Sequence, residues 1–509
     1  MFNLIMKFLV FLFISSSVFL FVYTINLFLL LILSVFDKRK TKPENTNLTD
    51  LPMVTVQLPI FNEKYVASRI IERTTKIDYP RKKLEIQVLD DSTDDTLQIS
   101  RQMVKKYQSS GFNIKLLHRT ERTGQKAGAL KYGLETAEGE FIAIYDADFI
   151  PNKNILKKVI PYFLKEPKLG MVQTRWGFTN PGYSGLTKSQ SLFIDIHFLI
   201  EQVARNRNGL FMNFNGTAGV WRKNCIIDAG NWKADTLTED IDLSYRALLK
   251  SWKMKYLKHI VNDSELPVTI NAYKSQQFRW AKGSIQTAKK LLGKIWGAKI
   301  PLFTKFQAFI HLTYYAVHTI LLINLILLVL LISKGSMYYF YYNFLGPFIY
   351  LFIFTSFIPI ISSAVTIIRN YKNNLSRLTW IPYAMVIGTS LAVNNTWAVI
   401  EALLGKKTPF IRTPKYGVST PKYGINKKDM NKQNKFIPKL NLRNKISLII
   451  EIFFTFYAFS GMFLSFWHKN YLIIPYLLIY TMSFGYVSIA TINSIRIDHK
   501  KTSLEYEAN

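Results

Sequence analysis

A run without a single charged side chain, residues 8–35, most constrains how this chain can fold. About 20 apolar residues, each adding ~1.5 Å of helix, are enough to cross a bilayer. The run exceeds the apolar part of a cleavable signal peptide, which has about 7–15 residues, and the basic residues Lys38, Arg39 and Lys40 follow it. We therefore expect an uncleaved transmembrane helix whose C-terminal end faces the cytoplasm.

Apolar character returns after residue 302 and predicts further spans. They are residues 306–332, 341–367, 447–467 and 471–492. Residues 380–404 are also apolar, but two asparagines and a glutamate interrupt them. The loops on either side, 369–378 and 405–445, are rich in Lys and Arg, which favours the cytoplasmic side for both. Both loops can lie there only if 380–404 is interfacial or re-entrant. We thus expect five spans, with six as the alternative.

The charge and cysteine content exclude several classes of protein. The chain has 65 Lys and Arg against 33 Asp and Glu, a formal charge of +32. This excess lies mostly in loops next to the membrane, without a recognised nucleic-acid-binding module, so we expect membrane lipid and not nucleic acid as a partner. Cys225 is the single cysteine, which excludes an intramolecular disulfide and a cysteine-based zinc site.

Residues 40–300 alternate between short apolar strands and helical segments. The predicted strands are Met53–Leu58, Leu84–Leu89, Asn113–Leu117 and Glu140–Tyr145. The predicted helices between them are Glu63–Thr75, Thr96–Gln108 and Lys126–Ala137. This alternation predicts an α/β domain with a mostly parallel sheet and helices on both faces. In such sheets ligands bind beyond the carboxyl ends of the strands.

Carboxylates stand at two of those strand ends. Asp146 and Asp148 follow one strand at alternate positions, so both side chains can face one ligand. Two such hard oxygen donors suit Mg²⁺ or Mn²⁺ bridging to phosphates, whereas the alternative is a polar turn that caps the next helix. Asp90 and Asp91 end another strand and either contact a nucleotide or belong to an Asp-rich turn.

Three further positions carry both a chemical and a structural interpretation. Lys126 either neutralises a diphosphate or is a solvated surface lysine. Asp240, at the start of a predicted helix, is either a general base or an acid favoured by the helix dipole. Trp280 ends Gln-Gln-Phe-Arg-Trp at the beginning of another predicted helix, where it either stacks on a sugar ring or anchors at the membrane surface.

The order and spacing of the motifs are more specific than any one of them. They are LPIFNE (58–63), QVLDDSTDDT (87–96), KAGAL (126–130), DAD (146–148), QTRW (173–176), FNGTAGVWR (214–222), TED (238–240) and QQFRW (276–280). This series resembles the membrane-embedded family 2 glycosyltransferases of the cellulose synthase superfamily, most closely the cellulose-synthase-like A and C branches of plants and their bacterial relatives. The resemblance is dense over residues 52–283.

The resemblance implies a Rossmann-like GT-A domain in the cytoplasm, joined to an α-helical transmembrane region of the inner or plasma membrane. It implies inverting transfer of a hexose from UDP-glucose or GDP-mannose to a growing β-linked glycan, with a single lipid acceptor as the alternative. Asp240 would be the base, and Asp146 and Asp148 would hold the nucleotide sugar and Mg²⁺ or Mn²⁺. The other implied contacts are Glu63, Asp90, Asp91 and Lys126 for the nucleotide sugar, and Gln276, Arg279, Trp280 and Trp176 for the acceptor and diphosphate.

The expected organisation follows from these segments. It comprises a transmembrane helix (1–39), the GT-A domain (40–270), interfacial helices (271–302), a transmembrane hairpin (303–368), an interfacial or re-entrant segment with a basic loop (369–445), a second hairpin (446–495) and a cytoplasmic tail (496–509). Within the basic loop, Phe410–Lys415 resembles the gating loop of cellulose synthases, and Thr-Pro-Lys-Tyr-Gly occurs at 413–417 and again at 420–424.

Overall fold

The computed structural model describes residues 2–36, 50–333, 346–408 and 442–507. The first helix, α1 (Phe2–Val35), coincides with the charge-free run. The basic flank 37–40 and the resemblance to a gating loop both lie outside the described residues. Four described helices are long and apolar enough to cross a membrane: Leu4–Val35, Ala316–Ser333, Leu442–Trp467 and Tyr471–Ser494.

A mixed sheet of seven strands forms the centre of the described soluble part. Its strands are β1 (Val54–Ile60), β2 (Leu84–Asp90), β3 (Asn113–Leu117), β4 (Phe141–Ile144), β5 (Leu169–Phe178), β6 (Gly219–Arg222) and β7 (Lys253–Ser264). The order across the sheet is β3-β2-β1-β4-β6-β5-β7. Strand β6 runs antiparallel to β4 and β5, whereas the remaining neighbours are parallel. The predicted α/β architecture is confirmed, and the four predicted strands are its parallel half.

The strand order explains why distant motifs meet. From β1 the chain builds outward through β2 and β3, then returns to place β4 on the other side of β1. Ligands bind at such a reversal, beyond the carboxyl ends of the strands. The motifs after β1, β2 and β4 therefore share one edge. Because β6 pairs antiparallel with β4, the loop that precedes Gly219 reaches the same edge.

Helices cover both faces of the sheet. They are α2 (Ala67–Thr75), α3 (Thr96–Ser109), α4 (Gln125–Thr136), α5 (Ile155–Lys165), α6 (Gly185–Ile196), α7 (Gln202–Arg207), α8 (Lys223–Asp228) and α9 (Glu239–Leu249). A π-helical turn, His197–Glu201, joins α6 to α7. Two clusters of buried apolar side chains fill the two sides, one around Val56, Val88 and Phe141 and the other around Ile142, Phe214 and Trp221.

The long helix α10 (Ile270–Gly297) leads from the sheet to the membrane helices. Gln276–Trp280 was expected to begin a helix, but it lies inside α10, because Thr269 caps the helix earlier by accepting from the N–H of Ala272. The expected span 306–332 is also wrong in extent. The chain breaks after α11 (Leu302–Thr313), and the apolar helix α12 is Ala316–Ser333.

The remaining helices are α13 (Gly346–Asn370), α14 (Ile381–Ser390), α15 (Ala392–Leu403), α16 (Leu442–Trp467) and α17 (Ile474–Glu507). The ambiguous segment 380–404 is divided between α14 and α15, of 10 and 12 residues. At ~1.5 Å per residue neither reaches across the ~30 Å of a bilayer interior by itself. The number of spans stays a prediction.

Candidate active site

One cleft at the carboxyl edge of the sheet collects nearly all of the predicted site residues. Its lining includes Glu63, Asp91, Lys126, Asp146, Asp148, Trp176, Asp240, Gln276, Arg279 and Trp280. These residues come from seven separate segments of the chain, and the strand order brings their segments together. Asp90 is the exception, since it is fully buried and is not among the residues that line the cleft.

Lys126 lies at the centre of a cluster of carboxylates. It is the second residue of α4, and its Nζ donates to Asp146 Oδ1 at 2.5 Å and to the carbonyl oxygen of Gly216 at 2.9 Å. Glu239 Oε1 is 3.9 Å away. Burial lowers the pKa of Lys126, but the charges of Asp146 and Glu239 outweigh this effect, so the pKa lies above its ordinary value. A charged ammonium group at this point is suited to binding a diphosphate.

Asp146 and Asp148 follow β4 in a turn, and both line the cleft. The backbone N–H of Asp146 donates to Thr217 Oγ1 at 2.9 Å, which ties this turn to the loop before β6. Asp148 is buried, and its Oδ2 accepts from the N–H of Glu265 at 3.2 Å. Among the described residues no group of three or more His, Cys, Asp or Glu is placed to hold a metal ion. Two carboxylates still fit Mg²⁺ or Mn²⁺, because such ions commonly take one or two carboxylates plus substrate phosphates.

The Thr-Glu-Asp motif places two acids at the N-terminus of α9. Asp240 Oδ1 accepts from the N–H of Ile241 at 2.9 Å. Burial, reinforced by the negative charge of Glu239, raises the pKa of Asp240 to about 8. Burial also raises the pKa of Glu239, although Lys126 opposes the shift. A partly buried carboxyl group with a raised pKa is a stronger base once it is ionised, which suits proton abstraction.

The loop beneath Asp240 requires a residue without a side chain. Gly216 has a φ of +80°, and a Cβ at this position would lie 3.0 Å from Asp240 Oδ2. Such a φ favours glycine, and the missing side chain leaves room for the carboxylate. Asn215 and Gly216 of the Phe-Asn-Gly-Thr stretch thus line the cleft, a role that the residue types alone did not indicate.

Aromatic side chains line a further part of the cleft. Gln276, Arg279 and Trp280 form the cleft face of α10. Trp176, near the end of β5, packs edge-on against Phe149 and at a tilt against Phe198. The Nε1 of Trp176 is buried and has no hydrogen-bond partner among the described residues. These rings and donors suit the apolar faces and hydroxyls of sugars.

Two arginines that the sequence analysis did not single out lie near the end of the cleft formed by β1 and β2. Arg119 holds Asp91 with two hydrogen bonds, one from Nε to Oδ1 at 3.0 Å and one from Nη2 to Oδ2. Arg122 lies over the ring of Phe61 at 3.5 Å and lines the cleft. Asp90 instead accepts from the N–H of Ser92 at 2.8 Å and stabilises the turn. The structure therefore brings Asp91, but not Asp90, to the cleft.

This geometry agrees with comparisons with known proteins. Residues 52–283 match the family model described as glycosyltransferase like family 2. This segment is a family 2 glycosyltransferase domain. The "Probable glucomannan 4-beta-mannosyltransferase 7" of Oryza sativa subsp. japonica is 44% identical over 262 residues, which are 50% of this chain and 45% of that protein. "Glucomannan 4-beta-mannosyltransferase 1" of Cyamopsis tetragonoloba is 42% identical over 268 residues, 52% of this chain and 50% of that protein.

The chain spans about half the length of the curated relatives that it matches. A solved structure, the mannosyltransferase PcManGT from Pyrobaculum calidifontis in complex with GDP-Man and Mn²⁺, matches with a TM-score of 0.56 and 20% identity, over 78% of this chain and 100% of that chain. At this identity the similarity concerns the fold, which is that of a GT-A-like domain. The expected family is confirmed for residues 52–283, and the expected GT-A-like fold class is confirmed as well.

Proposed function

We propose that this chain is an inverting hexosyltransferase that extends a β-linked glycan from a nucleotide sugar. The observation that carries the proposal is the placement of Asp240. Its partly buried carboxyl group lies in one cleft with Lys126, with the carboxylates of Asp146 and Asp148, and with Trp280 of α10. Glycosyl transfer from a nucleotide sugar requires a base, groups that stabilise the departing diphosphate and a surface that binds sugars, and the cleft supplies all three.

The residues support a direct displacement. Asp240 accepts the proton of an acceptor hydroxyl as that oxygen forms a bond with C1 of the donor sugar. The bond between C1 and the diphosphate oxygen breaks, and the electron pair leaves with the nucleoside diphosphate. Attack on the face opposite the leaving group inverts C1, so an α-linked donor gives a β-linked product.

Lys126 and Arg279 would bind the departing diphosphate through charge-assisted hydrogen bonds. Asp146 and Asp148 would hold Mg²⁺ or Mn²⁺, which when bound would neutralise part of the charge on the diphosphate. Glu63 and Asp91 would contact the nucleotide. Before substrate binds, Asp146 and Glu239 satisfy the Lys126 ammonium group, so donor binding exchanges carboxylate contacts for phosphate contacts.

We propose mannose, carried by GDP, as the first donor to examine, with UDP-glucose as the alternative. The relatives that are 42–44% identical over the catalytic segment are named mannosyltransferases, which supports this order. We further propose that the glycan is extended processively and passed to the membrane helices, with the catalytic domain in the cytoplasm. The position of α10, between the cleft and those helices, supports this route.

A donor screen tests the proposal. The purified chain in detergent is given radiolabelled GDP-mannose or UDP-glucose with Mg²⁺ or Mn²⁺, and the product is digested with linkage-specific mannanase or glucanase. We expect β-mannanase-sensitive polymer from the wild type. Asp240→Asn should lose about 10²–10⁴-fold in rate, whereas Asp235→Asn, an acid outside the cleft lining, should not. A labelled lipid as the sole product would establish the alternative, and transfer by Asp240→Asn at the wild-type rate would refute the base assignment.

A further inference from the structure

The π-helical turn His197–Glu201 lies between α1 and the cleft. On one side Ile200 packs with Leu30 and Leu31 of α1, and on the other Phe198 packs against Trp176. π-helical turns are rare, and they occur frequently at functional sites, where the extra residue redirects side chains. Here the turn carries a histidine and a glutamate that the mechanism above does not use.

His197 and Glu201 belong to a chain of hydrogen bonds that ends in the cleft. His197 Nδ1 lies 2.9 Å from Glu201 Oε2, and His197 Nε2 lies 2.8 Å from Asn215 Nδ2. Gln202 Nε2 donates to Asn215 Oδ1 at 2.8 Å. Asn215 lines the cleft and directly precedes Gly216, which lies beneath Asp240.

A backbone carbonyl fixes every orientation in this network. Gln202 Nε2 also donates to the carbonyl oxygen of Asn213 at 2.9 Å, so this atom must be the amide nitrogen. Asn215 therefore presents Oδ1 to Gln202 and Nδ2 to His197. Because Nδ2 can only donate, His197 Nε2 accepts, and Nδ1 carries the proton and donates to Glu201.

The side-chain amide of Asn215 has two N–H groups, and one of them is available to a ligand. The other N–H is donated to His197, and the contacts among the described residues do not use the second. Asn215 lines the same cleft as Lys126 and Asp240. The residue after it, Gly216, accepts from Lys126 through its carbonyl oxygen and lies beside the Asp240 carboxylate. Glu201 accepts from Nδ1–H and so stabilises the same tautomer of His197, and His197 and Gln202 together hold the Asn215 amide in one orientation.

We infer that His197 and Glu201 are positioning residues that hold the Asn215 amide so that its second N–H donates to a hydroxyl of the acceptor sugar. The inference rests on the proposed glycosyl transfer and deepens it by assigning an acceptor contact. It predicts that substitutions at His197 and Glu201 raise the KM for the acceptor and do not change the affinity for the nucleotide. Neither residue lines the cleft, so each acts only through Asn215.

The test measures the KM for β-1,4-linked mannohexaose, or cellohexaose if glucose is transferred, and the affinity for the nucleoside diphosphate with Mn²⁺ by calorimetry. Asn215→Ala should raise the acceptor KM about three- to tenfold, as expected for one neutral hydrogen bond. His197→Phe should do the same. The double variant should be no worse than Asn215→Ala alone, because the histidine acts only through the asparagine. Nucleotide affinity should stay within about twofold throughout.

Conservative replacements separate positioning from folding. Glu201→Gln keeps an oxygen that accepts from His197 Nδ1 and should retain the wild-type acceptor KM, whereas Glu201→Leu should match His197→Phe. Asn208→Ala, an exposed asparagine at the end of α7, is the control and should change nothing.

Four results would overturn the inference while leaving glycosyl transfer intact. They are an unchanged acceptor KM in Asn215→Ala, additive effects in the double variant, equal damage from Glu201→Gln and Glu201→Leu, and loss of nucleotide binding in His197→Phe. Absence of any transfer by the wild type would instead refute the proposed function, and the acceptor contact with it.

Discussion

The Nζ of Lys126 lies 2.5 Å from Oδ1 of Asp146, so the cation expected at the diphosphate is already paired with a carboxylate expected at the metal. This contact joins the start of α4 to the turn after β4. Under the proposed function, binding of the diphosphate would replace this contact. The effect of a substitution at Lys126 should therefore be measured as a change in nucleotide affinity.

Lys126→Met should weaken binding of the nucleoside diphosphate about 10–150-fold. The estimate corresponds to a charged hydrogen bond of ~1.5–3 kcal/mol, and the variant also leaves Asp146 and Glu239 without their counter-ion. Isothermal titration calorimetry with GDP and UDP measures the effect. Lys131→Met, an exposed lysine on the same helix, is the matched control and should bind normally. Equal affinities in the two variants would remove Lys126 from the diphosphate site.

The rate should fall with decreasing pH below about 8, because Asp240 must be ionised to accept a proton and burial raises its pKa to about 8. In a plot of kcat/KM against pH, we expect a loss of about tenfold per pH unit on the acid side. Glu239→Gln removes a negative charge that raises the pKa of Asp240, so this limb should move to lower pH. Asp235→Asn should leave the limb in place. A limb unaffected by Glu239→Gln would show that another group titrates.

Asp148→Asn should abolish turnover in Mg²⁺ or Mn²⁺, because a neutral amide is a poor replacement for a carboxylate ligand. Excess EDTA should have the same effect on the wild type, and added metal should restore only the wild type. The readout independent of turnover is Mn²⁺ binding in the presence of GDP, followed by electron paramagnetic resonance. Full activity of the variant would exclude Asp148 as a metal ligand.

Two buried ion pairs join α10 to α15 and α16. Lys282 Nζ lies 2.7 Å from Glu401 Oε2 of α15, and Lys274 Nζ lies 2.6 Å from Glu451 Oε1 of α16. Breaking such a pair on one side leaves a buried charge and typically costs ~3–5 kcal/mol. Lys282→Met should therefore lower the melting temperature in detergent.

Adding Glu401→Gln to Lys282→Met should recover most of this loss, since the uncompensated charge is gone and the amide oxygen still accepts from Trp397 Nε1. The control is the exposed pair of Lys253 and Glu166, where Lys253→Met should have little effect. Destabilisation of the double variant beyond Lys282→Met would contradict the interpretation.

Cysteines placed after the first expected span and in the basic loop 405–445 should be labelled from the same side of the membrane. Pro43→Cys and Met430→Cys, both in a Cys225→Ala background and both outside the described residues, should react with an impermeant maleimide from the cytoplasmic side. The reason is the excess of Lys and Arg in both regions. Labelling from opposite sides would contradict the five-span arrangement and support six spans.

Local pattern was enough to predict the membrane helix α1, the four parallel strands and the carboxylates at their ends. The helix before β2 was predicted too early, because residues 63–66 form a turn in which Glu63 O accepts from the N–H of Val66 and of Ala67. Strands β5, β6 and β7 were not predicted as strands. These strands pair with segments that are far apart in the chain. A short stretch of sequence does not show which segments pair, or whether they pair in parallel or antiparallel register.

The sequence by itself determined which residue types stand at the carboxyl ends of strands, and parallel strands necessarily bring those ends to one edge. This is why Glu63, Asp91, Asp146 and Asp148 share the cleft. Only the tertiary structure decided that Asp91 and not Asp90 faces it, that Glu239 raises the pKa of Asp240, and that His197 reaches Asn215. Side-chain direction, burial and the charges of neighbours distant in sequence are properties of the packed chain, and they set the chemistry of each group.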